Sequence, residues 1–153
     1  MAFLSSMNII GSGMTAQQLR LDVISENITN INTTRTEAGG AYRRKITVLE
    51  SESGKNGFRA AMAAAANGMA SNKGYEKAGG VKVREIIEDE SELPITYDPE
   101  HPDANEQGYV EMPNITLVKE ITDAMAATQA YSANVTAFNT LKGVVARGLD
   151  IGK

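Results

Sequence analysis

The feature that most constrains this chain is how its charge is sorted. Of 15 Lys and Arg and 19 Asp and Glu in 153 residues, only Arg20, Asp22 and Glu26 fall within 1–34, and only Lys142, Arg147, Asp150 and Lys153 within 124–153. The remainder crowd the middle. A helix lying on an ordinary globular core shows charges on its outer face, yet residues 124–141 carry none on any face. Thr128, Gln129, Ser132, Asn134, Thr136, Asn139 and Thr140 also make this stretch too polar for lipid. An uncharged, half-polar, small-residue helix suits surroundings made of other helices.

Both ends read as heptads. Phe3, Met7, Ile10, Met14, Gln17, Leu21, Ile24, Ile28 and Ile31 alternate spacings of four and three, with Gln17 the polar break. This is an a/d seam, and at ~1.5 Å per residue it predicts a helix about 44 Å long from Phe3 to Ile31. Gly11 and Gly13 weaken it locally. At the other end Leu117, Ile121, Ala124, Thr128, Tyr131, Val135, Phe138, Lys142, Val145 and Leu149 repeat the spacing, diluted by Ala124, Thr128 and Lys142. Asn114 is the predicted N-cap, with Pro113 closing the preceding strand. Two seams at opposite ends predict that the ends pair with each other. Seams this loose are marginal in isolation, so both ends are expected to be disordered in a free monomer.

The middle reads as a small β unit. Strands are predicted over 42–49, 81–87, 93–97 and 109–112, punctuated by Gly39-Gly40 and Gly79-Gly80. Residues 58–74, rich in Ala, Met, Gly and Asn, form an insert that composition does not assign. The fold class is therefore α+β. Residues 1–34 are an N-terminal axial helix and 114–153 a C-terminal one, pairing as a coiled-coil-like layer. The small central β domain spans 35–113.

Chemistry is scarce. The chain has no Cys and one His, so disulfides and thiolate metal sites are excluded. Around His101, residues 97–106 offer Asp98, Glu100, Asp103 and Glu106, but Pro99 and Pro102 fix a turn or extended path. No second His or Cys exists for a transition metal, and the spacing is not that of a calcium-binding EF-hand loop. The segment reads as a rigid, solvated connector. No P-loop, nucleophile elbow or Ser/His/Asp spacing is present. The reading is a protein that is not an enzyme, without cofactor, metal site or small-molecule substrate. The net charge of −4 and the lack of a basic stripe argue against nucleic acid. No run of about 18 apolar residues exists to insert in a membrane. Residues 1–19 hold no Lys or Arg, so no cleavable signal peptide is expected. Asn27 and Asn134, which begin Asn-x-Thr triplets, are expected to make polar contacts within the helical layer.

Residues 11–34 (GSGMTAQQLRLDVISENITNINTT) resemble the N-terminal signature of flagellar rod and hook proteins. Residues 34–44 (TRTEAGGAYRR), 98–114 (DPEHPDANEQGYVEMPN) and 130–139 (AYSANVTAFN) narrow the resemblance to the proximal-rod branch of that axial family. Glu26, Thr29, Ile31 and Ala41 depart from its pattern. The resemblance implies a structural subunit exported unfolded through the flagellar type III apparatus, without cleavage. It would sit in the rod of the basal body, in the periplasmic space. Its terminal helices would form a tubular drive shaft that transmits torque and encloses the export channel. The implied partners are rod proteins of the FlgB, FlgF and FlgG types, proteins at the junction of membrane ring and export gate, and copies of the same chain. The assembly seam is then Phe3, Met7, Ile10, Met14, Leu21, Ile24, Ile28, Ile31, Leu117, Ile121, Tyr131, Val135, Phe138, Val145 and Leu149.

Overall fold

The computed structural model describes residues 2–53 and 78–151. The 58–74 insert and the side chain of Phe3 lie outside the described residues. Helix α1 (Ala2–Thr29) follows the N-terminal heptads and ends in turns at Asn30 and Thr33. The chain then doubles back at Gly39 and Gly40, whose φ angles of 88° and 80° place two successive residues in the left-handed region. That conformation is open to glycine and strained for most other residues. The Thr36 N–H donates to the Gly40 carbonyl at 2.9 Å, and the Tyr42 N–H to the Thr33 carbonyl at 3.0 Å. The return delivers Tyr42, Arg43 and Arg44 to the C-terminal end of α1.

Strand β1 (Lys45–Ser53) pairs antiparallel with β2 (Ala78–Glu88), from Lys45 opposite Glu88 to Ser53 opposite Ala78. Irregularities between Val48 and Leu49 and between Ser51 and Ser53 bend this ribbon, which lies along α1. Gly80 marks the closest approach. Its φ is +90°, and a Cβ there would stand 2.3 Å from Ser12 Oγ. Ser12 Oγ donates to the Ile9 carbonyl at 2.7 Å and accepts the Val81 N–H at 3.1 Å, fastening ribbon to helix.

The four predicted strands do not join in one sheet. β3 (Ile95–Tyr97) and β4 (Tyr109–Glu111) form a separate antiparallel pair. Pro94 and Pro113 flank it and cannot donate to a ladder. Helix α2 (Leu117–Ile151) closes the chain. It begins three residues beyond Asn114, with the Thr116 carbonyl accepting the Glu120 N–H at 3.1 Å. Asn114 is no cap: its Oδ1 accepts the Arg44 N–H at 2.8 Å and its Nδ2 donates to the Asp89 carbonyl at 3.0 Å. The two long helices thus pair beside a small β region, an α+β arrangement. None of the described helices is long and apolar enough to cross a membrane.

The core is small. Among the described residues the buried apolar side chains are Ala16, Val23, Ile24, Ala41, Tyr42, Val110 and Ala127. Most cluster where the C-terminal half of α1 meets the start of α2.

Candidate assembly interface

The helices run antiparallel: Gly13 lies against Asn134, Arg20 meets Asp123, and Asn27 meets Glu120. On α2 the inward positions are Glu120, Ala124, Ala127, Tyr131, Asn134, Phe138, Leu141 and Val145, all buried or half-buried. Half of each predicted heptad is therefore met, at 124, 131, 138 and 145. The other half sits one residue earlier than the pattern of large side chains implied. Small residues explain the shift. Ala127 is fully buried, Ala16 is 2% exposed, and a Cβ on Gly13 would stand 3.0 Å from Asn134 Nδ2. The backbones approach along this small-residue line and turn larger side chains to the flanks. Leu117, Ile121 and Leu149 are accordingly exposed, while Val135, Tyr131, Phe138 and Val145 are half-buried. On α1, Ile24 is buried, and Met7, Ile10, Met14, Leu21, Ile28 and Ile31 are half-buried. Gln17 Oε1 is buried with no hydrogen-bond partner among the described residues.

At the end nearest β1 the seam turns ionic. Glu120 is fully buried, Asn27 is 1% exposed and Arg44 8%. Arg44 Nε donates to Glu120 Oε1 at 2.6 Å, and Asn27 Nδ2 to Glu120 Oε2 at 3.1 Å. Asn27 Nδ2 also donates to the Lys45 carbonyl, and its Oδ1 accepts the Lys45 N–H, both at 2.9 Å. Tyr42 Oη donates to the same Oδ1 at 3.1 Å. Arg44 and Arg20 both reach Asp123, at 3.2 and 3.4 Å. Within this cluster the buried side chains of Asn27, Arg44 and Glu120 all have partners, as a low-dielectric site demands. Burial, and then the nearby charge of Glu26, push the Tyr42 phenol up to about 12. Asp89 is held below the usual carboxylate range, first by the Ser91 N–H and hydroxyl and then by Arg44 and Lys119. The cluster joins α1, the Gly39–Gly40 return, β1 and α2. The heptad pattern did not reveal it, but one signal was legible: Lys119, Glu120 and Asp123 are the last charges before the uncharged stretch, and Glu120 shares its helix face with Ala124 and Ala127.

The connector around His101 is spent on structure. His101 Nδ1 accepts the Asp103 N–H at 3.1 Å, Asp103 Oδ2 accepts the Thr34 hydroxyl at 2.7 Å, and Arg35 lies 3.7 Å from Asp103 Oδ1. No group of three or more metal-ligating side chains occurs among the described residues.

A second surface is uncovered. Val118 and Met125 on α2 are 74% and 69% exposed, beside Leu117 and Ile121. They continue into the uncharged face of 124–141. Long antiparallel terminal helices with an exposed apolar run at the start of α2 and an uncharged stretch over 124–141, beside a short β region, define the class of an axial assembly subunit. Two family models agree: "Flagella basal body rod protein" matches residues 7–35, and "Flagellar basal body rod FlgEFG protein C-terminal" matches residues 106–151. The flagellar basal-body rod protein FlgC of Bacillus subtilis is 41% identical over 152 residues, covering 97% of both chains. That of Borreliella burgdorferi is 38% identical over 99% of this chain and 98% of its own, and that of Escherichia coli O157:H7 is 35% identical over 100% of both. The chain belongs to the FlgC family of flagellar basal-body rod proteins, and it is a structural rod subunit.

Proposed function

We propose that the chain builds the proximal part of the rod by laying the outer faces of its paired helices against neighbouring subunits. The tube so formed transmits torque and encloses the export channel. The observation that carries this reading is the exposed apolar run Leu117, Val118, Ile121 and Met125, continuous with a helical stretch without charge. Burying such a face offers about 25 cal/mol per Å² of apolar area, set against roughly 1–2 kcal/mol per residue for ordering backbone. Of the sequence-predicted seam, Leu117, Ile121 and Leu149 turn outward and would supply these contacts, whereas Ile24, Tyr131, Phe138 and Val145 are taken up by the helix pair of one chain. Neighbours would be rod proteins of the FlgB, FlgF and FlgG types, copies of this chain, and proteins at the junction of membrane ring and export gate. The subunit would reach the periplasmic space by flagellar export without cleavage, and it would catalyse nothing.

Ile121→Asp tests this. Ile121 is 47% exposed and outside the helix pair, so the variant should fold with unchanged stability yet fail to restore rods and swimming in a strain lacking the protein. Normal rods from Ile121→Asp, seen by electron microscopy of basal bodies, would remove this face from the assembly.

A further inference from the structure

A separate surface lies at the end of the molecule where α1 ends and α2 begins. Side chains alternate along a strand, and directly paired residues share a face. Ile95, Tyr97 and, opposite Tyr97, Tyr109 therefore stand together on one face of the β3–β4 pair. They are 66%, 64% and 44% exposed, while Val110 on the other face is 2% exposed. The two tyrosines of the outward face are packed against each other and against the turn that precedes β4. The tyrosine rings meet edge to face with centroids 5.2 Å apart. Gly108, at φ +82°, lies so close beneath that a Cβ would come 2.9 Å from Tyr97 Cε2 and 3.2 Å from Pro99 Cβ. Ordered, exposed tyrosines with little side-chain entropy left to lose are characteristic anchors of protein interfaces.

The surroundings specify the partner's charge. Between Arg84 and Lys119 the sequence contains ten Asp and Glu and no Lys or Arg. Glu92, Asp98, Glu100, Glu106 and Glu111 are all exposed. They form no ion pair among the described residues, whereas Asp103 is engaged with Arg35 and Asp89 with Arg44. Glu111 sits directly opposite Ile95, on the apolar face itself. Among the described residues a second copy offers few free cations, since Arg20, Arg35, Arg44, Lys45, Lys82 and Arg84 all face carboxylates of their own chain.

We propose that this face docks a different protein chain, one that presents an apolar side chain to Ile95, Tyr97 and Tyr109 within a rim of Lys and Arg. Like charges across an interface suppress wrong partners, and opposite ones fix register. The contact shares no residue with the helical face argued above, and its test does not alter that face.

The experiment places p-benzoylphenylalanine at Tyr97 of the full chain, or at Ile95 where the Tyr97 variant does not incorporate. Basal bodies isolated from cells are irradiated, and the adduct is mapped by mass spectrometry. The expected product joins this site to a segment of another protein with Lys or Arg within a few residues of the attachment point. Adding Glu100→Lys and Glu111→Lys should cut its yield roughly ten-fold or more. An adduct to a second copy, to a segment without basic residues or to cell-wall glycan would overturn the proposal, as would no adduct or a yield insensitive to charge reversal. Because the probe reads the contact inside assembled rods, its failure leaves the helical-assembly reading intact, and a defect of Ile121→Asp leaves this one intact.

Discussion

Replacing Glu120 with Gln removes a charge without changing volume, and the structure allows its consequence to be worked through. Oε1 accepts from Arg44 Nε at 2.6 Å and Oε2 from Asn27 Nδ2 at 3.1 Å. An amide has only one carbonyl oxygen, so its NH2 must face a donor on one side or the other. Asn27 cannot turn to relieve the clash. Its Oδ1 is needed by the Lys45 N–H and the Tyr42 hydroxyl, and its Nδ2 also serves the Lys45 carbonyl. Arg44, its side chain 10% exposed, would keep Asp123 at 3.2 Å and Asp89 at 4.0 Å. Removing one partner of a buried ion pair costs about 3–5 kcal/mol. An unsatisfied buried donor is worth about 1–3 kcal/mol of that. The expected fall in melting temperature is roughly 6–20 °C, at about 2–4 °C per kcal/mol for a chain of this size. Asp123→Asn is the control: the Asp123 side chain is 32% exposed, and a partly solvated pair contributes only about 0–1 kcal/mol. Urea unfolding of the purified monomer, followed by far-UV circular dichroism, compares the two. If Glu120→Gln and Asp123→Asn fell within about 0.5 kcal/mol of each other, a difference typical of surface changes, the reasoning would fail. Glu120 would then be hydrated in the free subunit and the ends disordered, the expectation drawn from the loose heptads, against which the buried cluster of Asn27, Arg44 and Glu120 argues for a closed pair.

Tyr42→Phe should cost about 1 kcal/mol, the net value of a hydrogen bond, by losing the contact to Asn27 Oδ1. Because folding raises the Tyr42 pKa from 10.0 to about 12, the native state holds that proton more tightly. The associated stability is complete below pH 10 and is lost as pH rises toward 12, a decline that urea titrations should find flattened in the Phe variant. Gly11→Ala should raise stability by up to about 1 kcal/mol through helix propensity, since a Cβ there meets nothing within 4 Å. Gly80→Ala should lower it by about 1–3 kcal/mol through its left-handed φ, and by more because the Cβ would fall 2.3 Å from Ser12 Oγ. The same melts decide both. Gln17→Met removes the orphaned Oε1 and should raise stability by about 1 kcal/mol; a lower melting temperature would mean that Gln17 has a donor in solution.

How much of this was legible in the sequence depended on which interactions repeat. The helices declared themselves because a packed helix face recurs every three or four residues. α1 runs through Met7, Ile10, Met14, Leu21, Ile24 and Ile28 as the spacing requires. The strands were legible in position, to within a few residues, from Val81, Val83 and their glycine punctuation. Their pairing into two separate ribbons was not, because nothing in the composition of 93–97 or 109–112 says which partner each will take. The inward face of α2 was half missed for a physical reason. The pattern looks for bulk, whereas close antiparallel packing puts Gly13, Ala16 and Ala127 at the line of contact and leaves Leu117 and Ile121 outside.

The polar cluster was illegible for a different reason: it is made once, from single residues distant in sequence. Asn27, Arg44 and Glu120 are separated by 17 and 76 positions and share no motif spacing. Only the turn at Gly39 and Gly40 brings Arg44 back to Asn27, and only the antiparallel return of α2 brings Glu120 to both. This placement gives the subunit its asymmetry. At one end of the helix pair, breaking a buried ion pair would strand a charge, so separation there is costly. At the other end, Ile10 and Leu141 line a half-buried groove between the helices, with Val144 and Leu149 left exposed. A groove of that kind gains from further burial against neighbours. The chemistry of the two ends therefore differs: the ionic cluster fixes how the helices are registered within one chain, and the apolar side chains left outside the pair, Leu117, Val118, Ile121 and Met125 beside that cluster and Val144 and Leu149 at the far end, are the ones we propose other subunits cover.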